Sequence, residues 1–211
     1  MKTSPLEKVR ELYEESADSY AEMMDSEIDL PVYSDILGRL AGRIVDIPGS
    51  VIDTSCGSGH ILSRYRERYD SGRSLIGIDL SPRMVAISGE KLGSSARVLH
   101  GDMRCLEEVE SDSAAGVLSF FAIHHIGPEE VLATLREWHR VLRSGGQLVV
   151  ATWEGTGTID YGEMSDVVAL RYTQEEMRDW AQEAGFAVDR CVVEPVEEMP
   201  MEAVYLEGIK E

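Results

Sequence analysis

The chain has 211 residues, 43 % of them hydrophobic, which suits one domain with a sizeable core. Thirty-nine acidic residues against twenty basic ones leave a formal charge of −19, which repels phosphate backbones and argues against nucleic acid as a substrate. No apolar run is long enough to span a bilayer, and three scattered cysteines (Cys56, Cys105, Cys191) fit neither a disulfide framework nor a zinc site. A reducing cytoplasm is the expected setting, since Met1-Lys2-Thr3-Ser4-Pro5 also lacks a signal peptide's apolar core.

Residues 1–47 read as helical. Ser4-Pro5 has the form of a cap with proline at the first helical position, and Leu6, Val9, Leu12 and Tyr13 follow at helical spacing. Asp18 to Pro31 is expected to be irregular and acidic. A second helix is expected over Val32–Val45, with Tyr33, Ile36, Leu37, Leu40 and Ile44 on one face, stopped by Pro48-Gly49. These helices pack on the core or cover a pocket; the sequence leaves both readings open.

From residue 51 onward strands and helices alternate. Val51-Ile52-Asp53 runs into Thr54-Ser55-Cys56-Gly57-Ser58-Gly59-His60, and a helix follows from Ile61. Glycine admits left-handed backbone and close approach of a ligand, and a strand-turn-helix junction leaves N–H groups free. Leu75–Asp79 is a second strand, with Ser81-Pro82 opening a helix that carries Met84 and ends near Gly93. Val98–His100 is a third strand, followed by Gly101-Asp102-Met103, and Gly116–Phe121 is a fourth. A helix opens at Gly127-Pro128-Glu129-Glu130 and is expected to end at Gly145-Gly146, before a fifth strand, Gln147–Thr152. Glu154–Ser165 reads as loop and Thr173-Gln174-Glu175-Glu176 as a capping box. Val188–Glu194 and Glu202–Ile209 form an antiparallel pair, because the join between them is too short for a helical crossover.

The expected fold is therefore α/β. It has a doubly wound, Rossmann-like sheet of seven strands, mostly parallel with an antiparallel C-terminal hairpin, and helices on both faces. Within one domain, 1–47 form a helical lid, 48–153 a cofactor-binding core, and 154–211 a substrate loop, helix and hairpin. Such sheets bind ligands at the carboxyl ends of their strands, where Asp53, Asp79, Asp102 and Ser119 stand. Asp79 lies twenty residues beyond Gly59, the position of a ribose-binding carboxylate. Leu62 replaces the third glycine of a dinucleotide fingerprint, and no phosphate-binding lysine motif is present, so the pocket suits a nucleoside without a pyrophosphate.

In this order the motifs resemble those of the class I S-adenosylmethionine-dependent methyltransferases of small-molecule type, from about Val51 to Phe186. Asp53-Thr54-Ser55-Cys56-Gly57-Ser58-Gly59 matches their first motif, with Ser55 in place of its first glycine. Leu142-Arg143-Ser144-Gly145-Gly146 resembles their turn before strand five, with Ser144 in place of proline. The resemblance implies S-adenosyl-L-methionine as cofactor, bound by Asp53, Ser55, Gly57 and Gly59, by Asp79 with Leu80 and Met84, by Asp102 and Met103 at the adenine, and by Ser119 and Phe120. No metal is expected, because the adjacent His124 and His125 are a poor pair for one ion and no acidic cluster at ligand spacing lies beside them. His124 and His125, just beyond strand four, are candidate bases because histidine holds or releases a proton near neutral pH. The plainer reading is that one of them merely shapes the loop. Tyr13 and Tyr20 resemble the aromatics that close over the cofactor, and Tyr20 is placed beside the methyl-transfer site.

The expected activity is methyl transfer to a small molecule at an O, N, S or C atom, with no nucleic acid partner and no membrane span. The alternatives are a methyltransferase acting on a macromolecule and a module that binds the cofactor or its demethylated product without catalysis. Residues 1–47 and 154–170 would form the acceptor pocket, with Tyr20, Met23, Met24, Tyr33, Tyr161 and Met164 as candidate lining. The acceptor and the oligomeric state are not legible.

Overall fold

Strands and helices alternate as the sequence pattern dictates in the computed structural model, which describes residues 2–159, 165–196 and 201–211. Helices α1 (Leu6–Glu27) and α2 (Pro31–Arg43) precede strand β1 (Ser50–Asp53). Then come α3 (His60–Arg68), β2 (Leu75–Asp79), α4 (Pro82–Leu92), β3 (Ala96–His100) and β4 (Ala114–Phe120). The chain continues through α5 (Pro128–Val141), β5 (Leu142–Trp153), the two-residue strands β6 (Thr158–Ile159) and β7 (Ala169–Leu170), and α6 (Gln174–Glu183). Strands β8 (Phe186–Pro195) and β9 (Glu202–Lys210) close it.

Seven strands form one sheet in the order β3-β2-β1-β4-β5-β9-β8. The first five are parallel, and β9 runs antiparallel between β5 and β8. Successive side chains leave opposite faces. Val117, Leu148 and Val150 thus meet α5 and α6 through Leu135, Trp138 and Met177. Leu118 and Val149 meet α2 and α3 through Leu37, Leu40, Leu62 and Tyr65. Strands β1 and β4 are buried on both faces, which explains their unbroken apolar runs. Each fully buried leucine contributes about 2 kcal/mol of transfer free energy. On the α2 side, buried Glu207 of β9 takes Arg39 at 2.6 Å and Arg43 at 2.9 Å, fixing that helix across the sheet.

Four expectations about elements need correction. The stretch after Asp18 is not irregular: α1 continues to Glu27, because no proline or glycine interrupts it and Ala17, Met24 and Ile28 carry the buried stripe on. Ser4 does not cap α1. Its hydroxyl accepts the Val168 N–H at 2.8 Å and its own N–H donates to the Val168 carbonyl at 3.1 Å, tying the start of α1 to the segment before β7. Helix α5 stops at Val141, ahead of Gly145-Gly146, because Asp112 and Ser113 N–H groups take the Arg140 and Val141 carbonyls and Leu142 pairs with Ala114 of β4. The next pairing, Gly116 with Gln147, leaves residues 143–146 as a bulge. The region read as loop also carries β6, paired antiparallel with β7. Tyr161 and Met164 lie outside the described residues.

Candidate active site

The strand order reverses between β1 and β4, and at their carboxyl ends a cleft opens beneath α1. Its floor begins in the turn after β1. Gly57 and Gly59 hold φ of +50° and +81°, left-handed values that glycine adopts without strain. The Gly57 N–H donates to Asp79 Oδ2 at 2.8 Å, and the Ser81 N–H donates to Asp79 Oδ1 at 2.9 Å. Burial pushes the Asp79 carboxyl up, and these two donors pull it down. Each oxygen keeps a further lone pair for a ligand hydroxyl.

Asp102 and Met103, beyond β3, form the next part of the wall. Asp102 is not a free acceptor. Arg104 gives Oδ1 its backbone N–H at 2.9 Å and its Nε at 3.1 Å, and gives Oδ2 its Nε at 3.0 Å and its Nη2 at 2.7 Å. The other arm of Arg104 pairs with Glu130, whose second oxygen accepts the Gly127 N–H at the start of α5. The Met103 carbonyl accepts the Trp138 indole N–H at 2.8 Å, which fixes this segment on the core.

After β4 the chain turns sharply. Phe121 is a non-glycine residue at φ +50°, held there by its N–H to the Ala151 carbonyl at 2.9 Å and by its ring, 4.6 Å from that of Trp153. Such backbone costs of order 1–3 kcal/mol and is concentrated at working sites. A short 3-10 turn, Ile123–His125, follows. His125 lines the cleft; its Nε2 lies 2.8 Å from the Tyr13 hydroxyl and 3.0 Å from His124 Nε2. The Nδ1 atoms of both histidines are buried without a hydrogen-bond partner among the described residues. Burial depresses both: His125 falls to about 4, and His124, with His125 beside it, lies well below the usual imidazole value.

Helix α1 forms the roof. Glu14 accepts the Ser81 hydroxyl at 2.6 Å and the Arg83 N–H at 3.1 Å, while Asp18 pairs with Arg83 and Asp25 with Lys91. The Tyr20 ring lies against Gly57, 3.1 Å from where a Cβ would stand.

Most of the residues singled out from sequence border this cleft. Ser55, Gly57, Asp79, Leu80 and Met84 are on its β1–β2 side, Asp102 and Met103 at β3, and Phe120, His125 and Tyr20 toward β4 and α1. Four stand behind the wall. Asp53 is buried and accepts the Ser55 N–H at 3.2 Å; burial first, then Asp79, pushes its carboxyl up to about 7. Gly59 caps α3 against Ser88, Ser119 is buried with its hydroxyl 3.5 Å from that of Ser55, and His124 backs His125. The wall also includes Phe121, Ala122 and Ile126, from the segment after β4 that carries the two histidines, and Leu6, Val9 and Thr54, which sequence reasoning missed as site residues. Leu6 and Val9 were visible only as a helical apolar stripe, the same signal that core residues give. Tyr33, Met23 and Met24 do not line the cleft: Tyr33 and Met24 are in the core and Met23 is exposed. Among the described residues no group of three or more His, Cys, Asp or Glu could hold a metal ion, and no helix is long and apolar enough to cross a membrane.

A family model described as a methyltransferase domain matches residues 51–146. An uncharacterised methyltransferase of Geobacillus thermodenitrificans is 26 % identical over 145 residues, which cover 67 % of this chain and 65 % of that protein's length. The chain thus spans slightly under two thirds of that curated relative. The methyltransferase in a complex with the Haloferax volcanii Trm112 methyltransferase activator superposes with a TM-score of 0.74 at 20 % identity, covering 96 % of this chain and 97 % of the other. Burkholderia thailandensis 1,6-didemethyltoxoflavin-N1-methyltransferase, with 1,6-didemethyltoxoflavin and S-adenosylhomocysteine bound, also gives 0.74, at 17 % identity over 100 % of this chain and 92 % of that one.

Proposed function

We propose that this chain is a class I S-adenosylmethionine-dependent methyltransferase that transfers the methyl group of that cofactor to a small molecule. The observation that carries the reading is Asp79, at the end of β2. It is held by the Gly57 and Ser81 N–H groups, faces the cleft, and keeps acceptor capacity for two ribose hydroxyls. The residues present fit the group. Gly57 leaves room beside Tyr20 that a Cβ would fill, and the apolar Leu80, Met84 and Met103 offer flat contact to a base.

When bound, the cofactor supplies an electrophilic methyl on a sulfonium, and the protein contributes orientation and exclusion of water. Asp79 holds the ribose. Asp102 receives the adenine amine by exchanging one of its Arg104 donors, and the Met103 N–H serves the ring. Gly57 and Ser55 place the amino-acid end, with Asp53, Gly59 and Ser119 supporting the turn from behind. Tyr20 closes the roof over the reacting end. His125 takes a proton from acceptors acidic enough to yield one, and His124 positions it.

The net charge of −19 supports a small acceptor over a nucleic acid. Calorimetric titration with S-adenosylmethionine, S-adenosylhomocysteine and NAD tests the cofactor assignment. The first two are expected to bind at micromolar level, NAD is not, and Asp79→Ala should lose about tenfold or more. Binding of NAD alone would overturn the assignment. Tight cofactor binding without turnover of any acceptor would favour the non-catalytic module.

A further inference from the structure

We propose that the methyl acceptor is an uncharged, predominantly apolar molecule whose polar reacting group bonds to the Tyr13–His125 pair. This rests on the cofactor reading above and names the chemistry of the remaining space. Among the described residues the carboxylates on the cleft wall are Asp79 and Asp102, which stand at the ends of β2 and β3, on the side assigned to adenosine. Toward β4 and α1 the wall is Leu6, Val9, Phe121, Ala122 and Ile126, with Tyr13 and His125 as its polar members.

Among the described residues no lysine or arginine lines the cleft. The basic residues nearest in sequence to its walls are already matched: Lys8 with Asp166, Arg10 with Glu7, Arg83 with Asp18, and Arg104 with Asp102 and Glu130. Residues 160–164 and 197–200 contain no lysine or arginine, so no cation can come from them. Glu7 occupies the first turn of α1 and offsets the positive end of that helix dipole. An anionic acceptor would therefore leave water for a wall without a countercharge, and its desolvation would go uncompensated.

One polar demand remains on this side. His125 is 6 % exposed; its Nε2 is already engaged by Tyr13 and His124, and its Nδ1 has no partner among the described residues. A buried nitrogen in that state is costly until a ligand group or water bonds it. Nδ1 itself is shut off from solvent, so a neutral N–H, O–H or S–H acceptor reaches it once the His125 ring turns toward the cleft that the residue lines. In transfer, the acceptor heteroatom forms the new bond to the methyl carbon and the C–S electron pair returns to sulfur. The acceptor's proton leaves to His125 or to solvent, so a neutral acceptor gives a neutral product.

The test titrates protein saturated with S-adenosylhomocysteine against two probes of one shape, 2-naphthol and 2-naphthoate, at neutral pH by calorimetry. 2-Naphthol should bind about tenfold or more tightly than 2-naphthoate, and Leu6→Arg, which places a cation at the rim, should close that gap. Equal or tighter binding of 2-naphthoate to the wild type would overturn the proposal, as would binding of neither probe. Failure of S-adenosylhomocysteine itself to bind would fail the cofactor reading instead, so the two are told apart.

Discussion

His125 shows how a residue that reads as a pH-sensitive base becomes something else once buried. A free imidazole titrates near 6.5, but burial holds His125 and His60 at about 4, and burial with His125 beside it holds His124 well below the usual value. All three are neutral in the folded protein at neutral pH. Between about 6.5 and 4 the unfolded chain therefore binds protons that the folded one refuses, so stability falls as pH falls through that window. Asp53, held at about 7, and Asp79, also raised, act in the opposite sense, since the folded state keeps protons that the unfolded state has lost. Burial also lowers His139 and raises Glu154, so four histidines against three carboxyls leave a net decline on acidification, each group contributing a slope of about 1.4 kcal/mol per pH unit where it is fully mismatched. Urea denaturation across this range should show that decline, and His125→Gln should flatten it by removing one of the histidine protons. In the same range the methyl-transfer rate should show no inflection near the free-imidazole value. An inflection there would mean that His125 is more solvated than its burial implies.

At the scale of elements, the turn after β1 and the roof helix α1 are coupled through the contact of Tyr20 on Gly57. Gly57→Ala places a methyl group 3.1 Å from the Tyr20 ring and asks alanine to hold φ +50°. The strain is about 1–2 kcal/mol, too little to unfold the domain, but it must lift Tyr20 or rotate the N–H that Asp79 uses. Cofactor affinity should fall about tenfold in Gly57→Ala, and Gly57→Ala/Tyr20→Ala should recover part of that loss by calorimetry. No recovery would place the whole effect in the turn. The turn itself was legible, because two glycines after an acid-ended strand have few other uses. The same holds for Asp79 and for the Ser81 and Thr173 caps, whose hydroxyls accept the Met84 and Glu176 N–H groups at 3.2 Å in each case. These signals are local. What stayed hidden depends on distant partners. Arg104 saturates Asp102 through a side-chain geometry that a Gly-Asp-Met pattern cannot express. Ser4 is diverted from capping by Val168, far along the chain. The end of α5 is set by pairing of Leu142 with Ala114, and the glycines beyond it, although real turn residues, belong to the bulge.

For the whole molecule, the excess of acid opposes the fold that the local contacts support. Ion pairs such as Lys8–Asp166, Arg97–Glu108 and Arg136–Glu183 have both partners at least 48 % exposed, and pairs of that kind are worth about 0–1 kcal/mol each, less in salt. Against them stands a net charge of −19 confined to one small domain, whose self-repulsion destabilises the compact state over distances longer than any single pair. Added salt weakens both, but not equally. The repulsion acts between charges many ångströms apart, where a Debye length of about 8–10 Å at moderate ionic strength already screens most of it. The pairs in contact, and the partly buried links of Arg39 and Arg43 to Glu207, are screened far less. Salt should therefore stabilise this protein: the thermal midpoint is expected to rise steadily from low ionic strength to about 1 M sodium chloride, most steeply at the low end where screening changes fastest. A falling midpoint would show that contact pairs such as Asp18–Arg83 and Asp25–Lys91, which hold α1 to α4, contribute more to stability than the surplus charge removes.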